Sequence, residues 1–219
     1  MSNSEKLLKR DLLGEVRLLQ QPGGEWLSRR DAGAARWWLR PIARRLAARE
    51  NRALQLLTAI DGVPRSLSAS HSTLDREWLA GAPMQEAGPR DKAYYREALR
   101  LLRQIHRAGV VHNDTAKEPN WLVRTDGSPA LIDFQVAMCF RQRGRLFRML
   151  AREDVRHLLK HKRTYLSAGL TSRQKKMLAT PAISARLWRI SGKPLYLWVT
   201  RRLLGWSDRE GADDRRPAG

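Results

Sequence analysis

The sequence predicts an α+β protein of two lobes, a small N-terminal lobe rich in strands and a larger lobe that is mainly helical. Three observations lead there. Strand-like runs and turn residues crowd the chain up to Arg30, helical periodicity takes over from Pro41, and a single strand hairpin over residues 120–134 interrupts a helical remainder. Strands and one helix first, then helices around one internal hairpin, is the order of an α+β chain rather than of alternating βαβ units. At 219 residues the chain is long enough for one domain or two small lobes whose core needs no disulfides.

Residues 15–19 (EVRLL), the turn at 20–24 (QQPGG) and residues 25–30 (EWLSRR) read as a hairpin, because proline and glycine between strand formers mark a tight reversal. From Pro41, apolar residues recur at Ile42, Leu46, Ala53 and Leu57, the spacing of one helix face, with Asp61-Gly62 closing the helix. Glu50 falls on that inward stripe. A carboxylate there either reaches water at the edge of the stripe or meets a buried cation, since an unpaired buried charge costs several kcal/mol.

Residues 74–80 (LDREWLA) predict a strand that Gly81-Ala-Pro83 breaks. Residues 91–107 predict a second helix with Tyr94, Ala98, Leu101, Leu102 and Ile105 facing inward and Gly109 as its stop. Residues 120–124 (NWLVR), an Asp126-Gly127 turn and residues 130–134 (ALIDF) form the internal hairpin. A helix over about 152–162, another opened by the capping box of Thr171 and Gln174, and a Trp-rich stretch to Trp206 complete the chain. The expected division is an N-terminal lobe over residues 1–83, a C-terminal lobe over 84–206 and a flexible tail over 207–219.

Forty-two Lys and Arg against 22 Asp and Glu give a net charge of +20, which attracts phosphate-bearing partners or else reflects a solvated, Arg-rich surface. Between Arg141 and Arg202 there are 17 basic residues and only Glu153 and Asp154 as acids. There Trp188, Tyr196, Trp198 and Trp206 interleave with Arg186, Arg189, Lys193, Arg201 and Arg202. Such a mixture suits either an anionic membrane surface or the core of a small helical lobe. No helix-turn-helix, RNA-recognition or zinc pattern is present, so nucleic acid is not an expected partner. His157 and His161 stand four apart without a supporting Cys or carboxylate, and read as a basic helical face rather than a zinc pair. The single cysteine, Cys139, and the lack of a signal-like apolar stretch near the N-terminus point to a reducing, intracellular setting. No apolar run approaches the roughly 20 residues a spanning helix needs.

Phosphoryl transfer asks for a carboxylate to accept a proton from the attacking hydroxyl, hard oxygens for a divalent cation, and a cation on the phosphates. Asp114 suits the first role; Asn120 and Asp133, at the two bases of the hairpin, would come together in space and share one Mg²⁺. The plainer alternative is a turn Asp, a capping Asn and a strand-end Asp that hold no metal.

The order His112-x-Asp114, Asn120, hairpin, Ile132-Asp133-Phe134 resembles the catalytic and metal-binding loops of the protein-kinase-like superfamily, whose usual patterns are H-R-D-x-x-x-x-N and D-F-G. The wording HND, NWLV and LIDFQVA is most similar to the bacterial branch that holds RIO-like kinases and lipopolysaccharide core (heptose or Kdo) kinases. The resemblance covers about residues 11–140 and is strongest over 106–137. It implies a bilobal protein-kinase-like fold with a reduced β-rich N-lobe and a mainly helical C-lobe. It also implies ATP and Mg²⁺ as cofactors, and transfer of the γ-phosphate to a protein Ser/Thr or a lipopolysaccharide core sugar. Residue by residue, the resemblance implies Asp114 as catalytic base, His112 as brace of its loop, Lys117 as a γ-phosphate contact, and Asn120 and Asp133 as metal ligands. Glu50 becomes the helix glutamate that pairs with the phosphate-binding cation. A cytoplasmic protein, peripheral on the inner face of the bacterial inner membrane through residues 141–206, is the matching expectation.

Three departures qualify the pattern. Five residues (TAKEP) separate Asp114 from Asn120 where the family has four. The strand that should carry a phosphate-binding lysine reads EWLSRRD and offers Arg29 or Arg30, of which Arg30 is the expected partner of Glu50. Arginine is larger, planar and forked. A catalytically inactive pseudokinase, acting as a basic membrane-, ribosome- or protein-binding module, is therefore the alternative. No G-x-G-x-x-G loop is present, and only Gly14 stands where a β1–β2 turn would cover phosphate; Gln135 replaces the glycine after Asp133-Phe134, which suggests a stiffer metal loop.

Overall fold

The computed structural model describes residues 5–180. The Trp-rich basic stretch and the expected tail over 207–219 lie outside the described residues. Met1–Leu178 form one compact unit, and of a second, Ala179–Gly219, only Ala179 and Thr180 are among the described residues.

An antiparallel sheet carries β1 (Glu5–Asp11), β2 (Gly14–Gln20), β3 (Trp26–Asp31), β4 (Ser66–Ala69) and β5 (Thr73–Glu77), in the order β1-β2-β3-β5-β4. The β2–β3 hairpin forms where the turn chemistry predicts it, with Glu15 opposite Asp31 and Gln20 opposite Trp26. Its turn is closed by the Gln21 amide donating to the Glu25 carbonyl at 2.8 Å. Strand β1 was not legible in the sequence, because every one of its residues is exposed and no apolar alternation marks it. It is held by its ladder to β2 and by ion pairs of Arg10 with Glu15 and of Glu5 with Arg17.

The β1–β2 turn depends on Gly14. Its φ is +122°, and a Cβ there would sit 2.1 Å from the Asp31 carbonyl oxygen. The Asp11 carboxylate accepts the Leu13 amide at 2.8 Å and shapes the approach.

Helix α1 (Arg40–Leu56) connects β3 to β4 and buries Ala43, Ala47, Glu50, Ala53 and Leu54. Glu50, Ala53 and Leu57 are buried as the stripe predicts, but in the first turns Ala43 and Ala47 face inward in place of Ile42 and Leu46, and Ile42 is 52% exposed. The cause is the size of the inward residues: Ala43 packs against Ala32 and Ala35, and small side chains bring the helix close to the loop after β3. The helix also ends earlier than Asp61, where the Thr58 hydroxyl donates to the Leu54 and Gln55 carbonyls.

The predicted strand over 74–80 is realised as β5, while Ala82–Pro83, expected to break it, forms the short β6 against β8 (Trp121–Val123). Next come α2 (Met84–Ala87), α3 (Lys92–Arg107), β7 (Val110–Val111), β8, β9 (Pro129–Leu131), β10 (Met138–Cys139), α4 (Arg145–Tyr165) and α5 (Ser172–Ala179). Asp91 caps α3 by accepting the Ala93 amide at 2.8 Å. The inward residues predicted for α3 are all buried and meet Trp121, Leu131, Phe134 and Leu158, with Leu54 and Leu57 reaching the same core from the α1 segment. Helix α4 begins earlier than expected because its first turns carry arginines and the half-exposed Leu146 beside a lone buried Phe147. The capping box before α5 is present: the Gln174 amide donates to Thr171 Oγ1 at 3.3 Å, and the Thr171 amide to Gln174 Oε1 at 3.2 Å. No helix among the described residues is long and apolar enough to cross a membrane.

Gly14→Ala should lower the stability of the unit by at least about 2 kcal/mol, because it adds both a left-handed strain and a clash with fixed backbone. A denaturant midpoint unchanged from the wild type would show that the turn relaxes without cost.

Candidate active site

Helix α3 ends at Gly109, whose φ of +81° reverses the chain into β7 and delivers residues 112–120 as a loop. His112 is fully buried at its start. The Asp114 amide donates to His112 Nδ1 at 3.2 Å, so that nitrogen carries no proton; Nε2 therefore donates to the Ile132 carbonyl at 3.0 Å. The ring also packs edge-on to Phe134 at 4.5 Å. One imidazole thus ties the loop to the far strand of the hairpin.

A second anchor is Asp154 of α4, only 1% exposed. Its carboxylate accepts the amides of His112 and Asn113 at 2.9 and 3.0 Å and the Thr115 hydroxyl at 3.3 Å. His106 Nε2 lies 3.1 Å from it. The Thr115 carbonyl in turn accepts from His161 Nε2 at 2.9 Å and from Trp121 Nε1 at 3.1 Å. His161 is therefore an inward brace rather than part of a basic outer face. Burial pushes the neighbouring His157 down to about 4, with the charge of Lys160 adding to the effect. Sequence reasoning missed Asp154, yet a signal was present: it is one of two acids in an otherwise basic stretch.

Asn113 has a φ of +64°, a conformation asparagine tolerates, and its side-chain amide donates to the Val136 carbonyl at 3.1 Å. Past it the Asp114 carboxylate is partly exposed. Oδ2 of Asp114 accepts Asn120 Nδ2 at 3.1 Å and pairs with Lys117 Nζ at 2.9 Å. The extra residue of this loop is absorbed locally: the Lys117 amide returns to the Asp114 carbonyl, and Glu118–Asn120 coil into one 3-10 turn. The Glu118 carboxylate holds that turn by accepting the Tyr165 hydroxyl at 2.6 Å.

Strand pairing then brings Asn120 to Asp133. Trp121 lies opposite Leu131, and the Ile132 amide donates to the Asn120 carbonyl at 2.9 Å. Asp133 follows with a φ of +66°, and its Oδ1 accepts the Gln135 amide. Arg30 reaches the same oxygen at 3.7 Å. Burial pushes the Asp133 carboxyl up, but the charge of Arg30, the Gln135 hydrogen bond and the more distant Arg76 and Lys117 outweigh it, so the group stays below the usual carboxylate range.

Above this hairpin lies Glu50, 0% exposed. Arg76 Nη1 of β5 bonds its Oε1 at 2.5 Å, and Arg30 Nε lies 3.4 Å from its Oε2, close enough for attraction but without hydrogen-bond geometry. Strand alternation sorts the two arginines offered by the sequence. Arg29 points to the other face of the sheet, where it makes a bidentate pair with Asp75 at 2.7 Å, while Arg30 turns inward to Glu50. Arg76 was not anticipated, although it stands two residues from the buried Leu74 and so shares its face. Gly14 sits at the β1–β2 turn against the Asp31 backbone and contributes no side chain.

The structure therefore joins His112, Asp114, Lys117, Asn120, Asp133, Arg30 and Glu50 into one connected set. Among the described residues no three or more His, Cys, Asp or Glu converge on a common point. Asn120 and Asp133 instead offer two hard oxygens: the Asn120 amide nitrogen is engaged with Asp114, which leaves Oδ1 without a hydrogen bond, and Asp133 is kept ionised. That donor set fits Mg²⁺, which takes one or two protein oxygens and fills the rest of its octahedron with phosphate and water.

No family model matches the sequence, and no curated protein matches it. Solved structures do. The Rio2 kinase from Chaetomium thermophilum superposes with a TM-score of 0.61 at 14% identity, over 87% of this chain and 74% of that one. The Rio2 kinase-ADP/Mg2+-phosphoaspartate complex from the same organism superposes with a TM-score of 0.60 at 16% identity, over 94% and 72%. The chain has a protein-kinase-like fold.

Asp154→Ala would leave the His112 and Asn113 amides without their acceptor, while the Thr115 hydroxyl keeps the residue-154 carbonyl at 3.2 Å, and should cost about 3 kcal/mol. Hydrogen exchange at the His112 and Asn113 amides should accelerate well beyond the global change; protection that falls only in step with global stability would remove Asp154 from the anchoring role.

Proposed function

We propose that this chain is an ATP- and Mg²⁺-dependent phosphotransferase that passes the γ-phosphate to a hydroxyl acceptor. The observation that carries it is the contact of the Asp114 carboxylate with the amide of Asn120 at 3.1 Å, in a hairpin whose pairing sets Asn120 beside Asp133. A proton acceptor is thereby fixed next to two metal-competent oxygens, which is what the chemistry requires of a protein. The complex of Rio2 with ADP and Mg²⁺ supports the same pair of ligands for this fold.

In this reading Asn120 Oδ1 and Asp133 hold the nucleotide's magnesium, which when bound offsets negative charge on the phosphates. Asp114 Oδ2 is committed to Asn120 and Lys117, so Oδ1 is the oxygen that receives the proton of the attacking hydroxyl. Lys117 stands beside Asp114, where its charge meets that of the transferring phosphoryl group. Arg30 takes the place of the phosphate-binding lysine, with its guanidinium between Glu50 and Asp133. His112 orients the loop. The acceptor is a protein Ser/Thr or a lipopolysaccharide core sugar, met in the cytoplasm or at the inner face of the bacterial inner membrane. The exposed arginines at 141, 143 and 145 supply positive surface for that location.

One observation favours a second reading, a pseudokinase that serves as a basic binding module: Arg30 pairs directly with Asp133 and so competes for the carboxylate a metal would use.

Two measurements separate the readings. Mg²⁺ with ATP should raise the melting temperature of the wild type and leave that of Asp133→Ala unmoved; no shift in either protein supports the inactive module. Asp114→Asn should reduce turnover by about 10²-fold or more while nucleotide affinity stays within about twofold, because the base acts on the acceptor. Loss of ATP binding in that variant would mean that Asp114 holds the nucleotide instead.

A further inference from the structure

The outer face of α1 carries a stripe that phosphotransfer does not use. Arg45, Arg49 and Arg52 follow one another at four- and three-residue spacing, so their exposed side chains line one side of the helix. Like charges at that spacing repel and weaken a helix. Some exposed arginines of the protein are neutralised: Arg10, Arg17, Arg29, Arg65 and Arg124 each meet a carboxylate at 2.6–3.0 Å. Among the described residues no carboxylate lies within ion-pair distance of Arg44, Arg45, Arg49 or Arg52. The one acid of the helix, Glu50, faces the opposite, buried side.

The stripe is also concave. A cavity of about 380 Å³ lies between Arg45, Arg49 and Arg52 on one side and Ala137, Met138 and Cys139 on the other. A second, of about 460 Å³, shares Arg45 and Ala48 with it and continues past Arg44 to Ser70 and His71. Space exists there because the lining residues between the arginine stems, Ala48 and Ala137, are small. Arg44 lines the second cavity and adds a fourth guanidinium to the row.

We propose that this face of α1 binds a small, soluble ligand bearing two or more linked phosphates. Guanidinium groups hold phosphate oxygens in forked pairs. From Arg45 to Arg52 the helix rises by roughly 10 Å, more than one phosphate spans and within reach of a short phosphate chain. A flat lipid surface fits less well, since the exposed apolar side chains Ile42 and Leu56 stand at the two ends of the arginine row rather than along it. The site is separate from the Asn120–Asp133 pair and stands whether or not the chain transfers phosphate.

Cys139 provides the test, because it lines the first cavity and is the only cysteine of the chain. The rate of its alkylation by iodoacetamide, a neutral reagent, is measured with and without inorganic tripolyphosphate, in EDTA so that magnesium-dependent binding plays no part. Arg49 and Arg52 also act on the Cys139 thiol, so each variant is compared with itself, ligand present against ligand absent. Tripolyphosphate should slow the wild type at least fivefold and saturably. Arg45→Gln/Arg49→Gln/Arg52→Gln should lose that protection, while lysine at the same three positions should keep part of it. Arg141→Gln/Arg143→Gln/Arg145→Gln removes the same charge from another exposed segment and should remain protected. Equal loss in both glutamine triples would reduce the effect to general charge and overturn the site. Protection by phosphatidylglycerol vesicles but not by tripolyphosphate would overturn it as well, and assign the face to a membrane.

Discussion

Glu50 is a carboxylate with no access to water, and the arrangement around it follows from the need to match its charge. Leaving such a group unpaired in a protein interior costs several kcal/mol, so positive charge has to arrive from neighbouring elements. Two strands supply it. Arg76 of β5 takes one oxygen in a short hydrogen bond, and Arg30 of β3 stands off the other at 3.4 Å. Because the two arginines project from the same face of the sheet, α1 can lie only where Glu50 falls between them. Arg30 then extends to Asp133 on the hairpin. A single buried charge thus sets the helix on the sheet and connects the sheet to the metal-competent end of the hairpin.

The loop below is built on the opposite principle. There the fixed element is a buried acceptor rather than a buried pair: Asp154 collects two backbone amides and a hydroxyl, and His161 and Trp121 hold the next carbonyl. A carboxylate satisfied by amides needs no full countercharge. The side chain of Asp114 is thereby positioned through backbone held on both sides, while its own carboxylate remains partly open. Rigid support beneath an accessible acid fixes its position without closing it to solvent.

The parts of this arrangement that were legible in the sequence are those encoded locally. The hairpin around Asp126-Gly127, the Thr171–Gln174 box and the inward face of α3 are each specified within a few residues. Glu50 stood out because it broke an apolar period. Arg76 and Asp154 were harder, since each acts across long chain separation, to Glu50 and to the loop over residues 112–120. Their types alone read as ordinary surface charges. Strand β1 and the inward face of the first turns of α1 escaped for a further reason: an all-exposed strand carries no pattern, and alanines that pack closely count for little against a neighbouring isoleucine. The five-residue spacing that departed from the family pattern proved to be a single tight turn, which keeps Asn120 on Asp114.

Arginine in place of the usual lysine has a structural counterpart in Arg76. A lone lysine beside a buried glutamate must serve that glutamate and the phosphates together. Here Arg76 already satisfies one oxygen of Glu50, and Arg30 faces two carboxylates at 3.4 and 3.7 Å without a hydrogen bond from its Nε. The Nε of Arg30 has no acceptor, and the larger guanidinium is held by charge on two sides rather than locked by geometry on one. A cation in that state loses little by turning toward a third anion. The replacement is therefore not an isolated change at one position but half of a two-arginine arrangement, in which the second member leaves the first available.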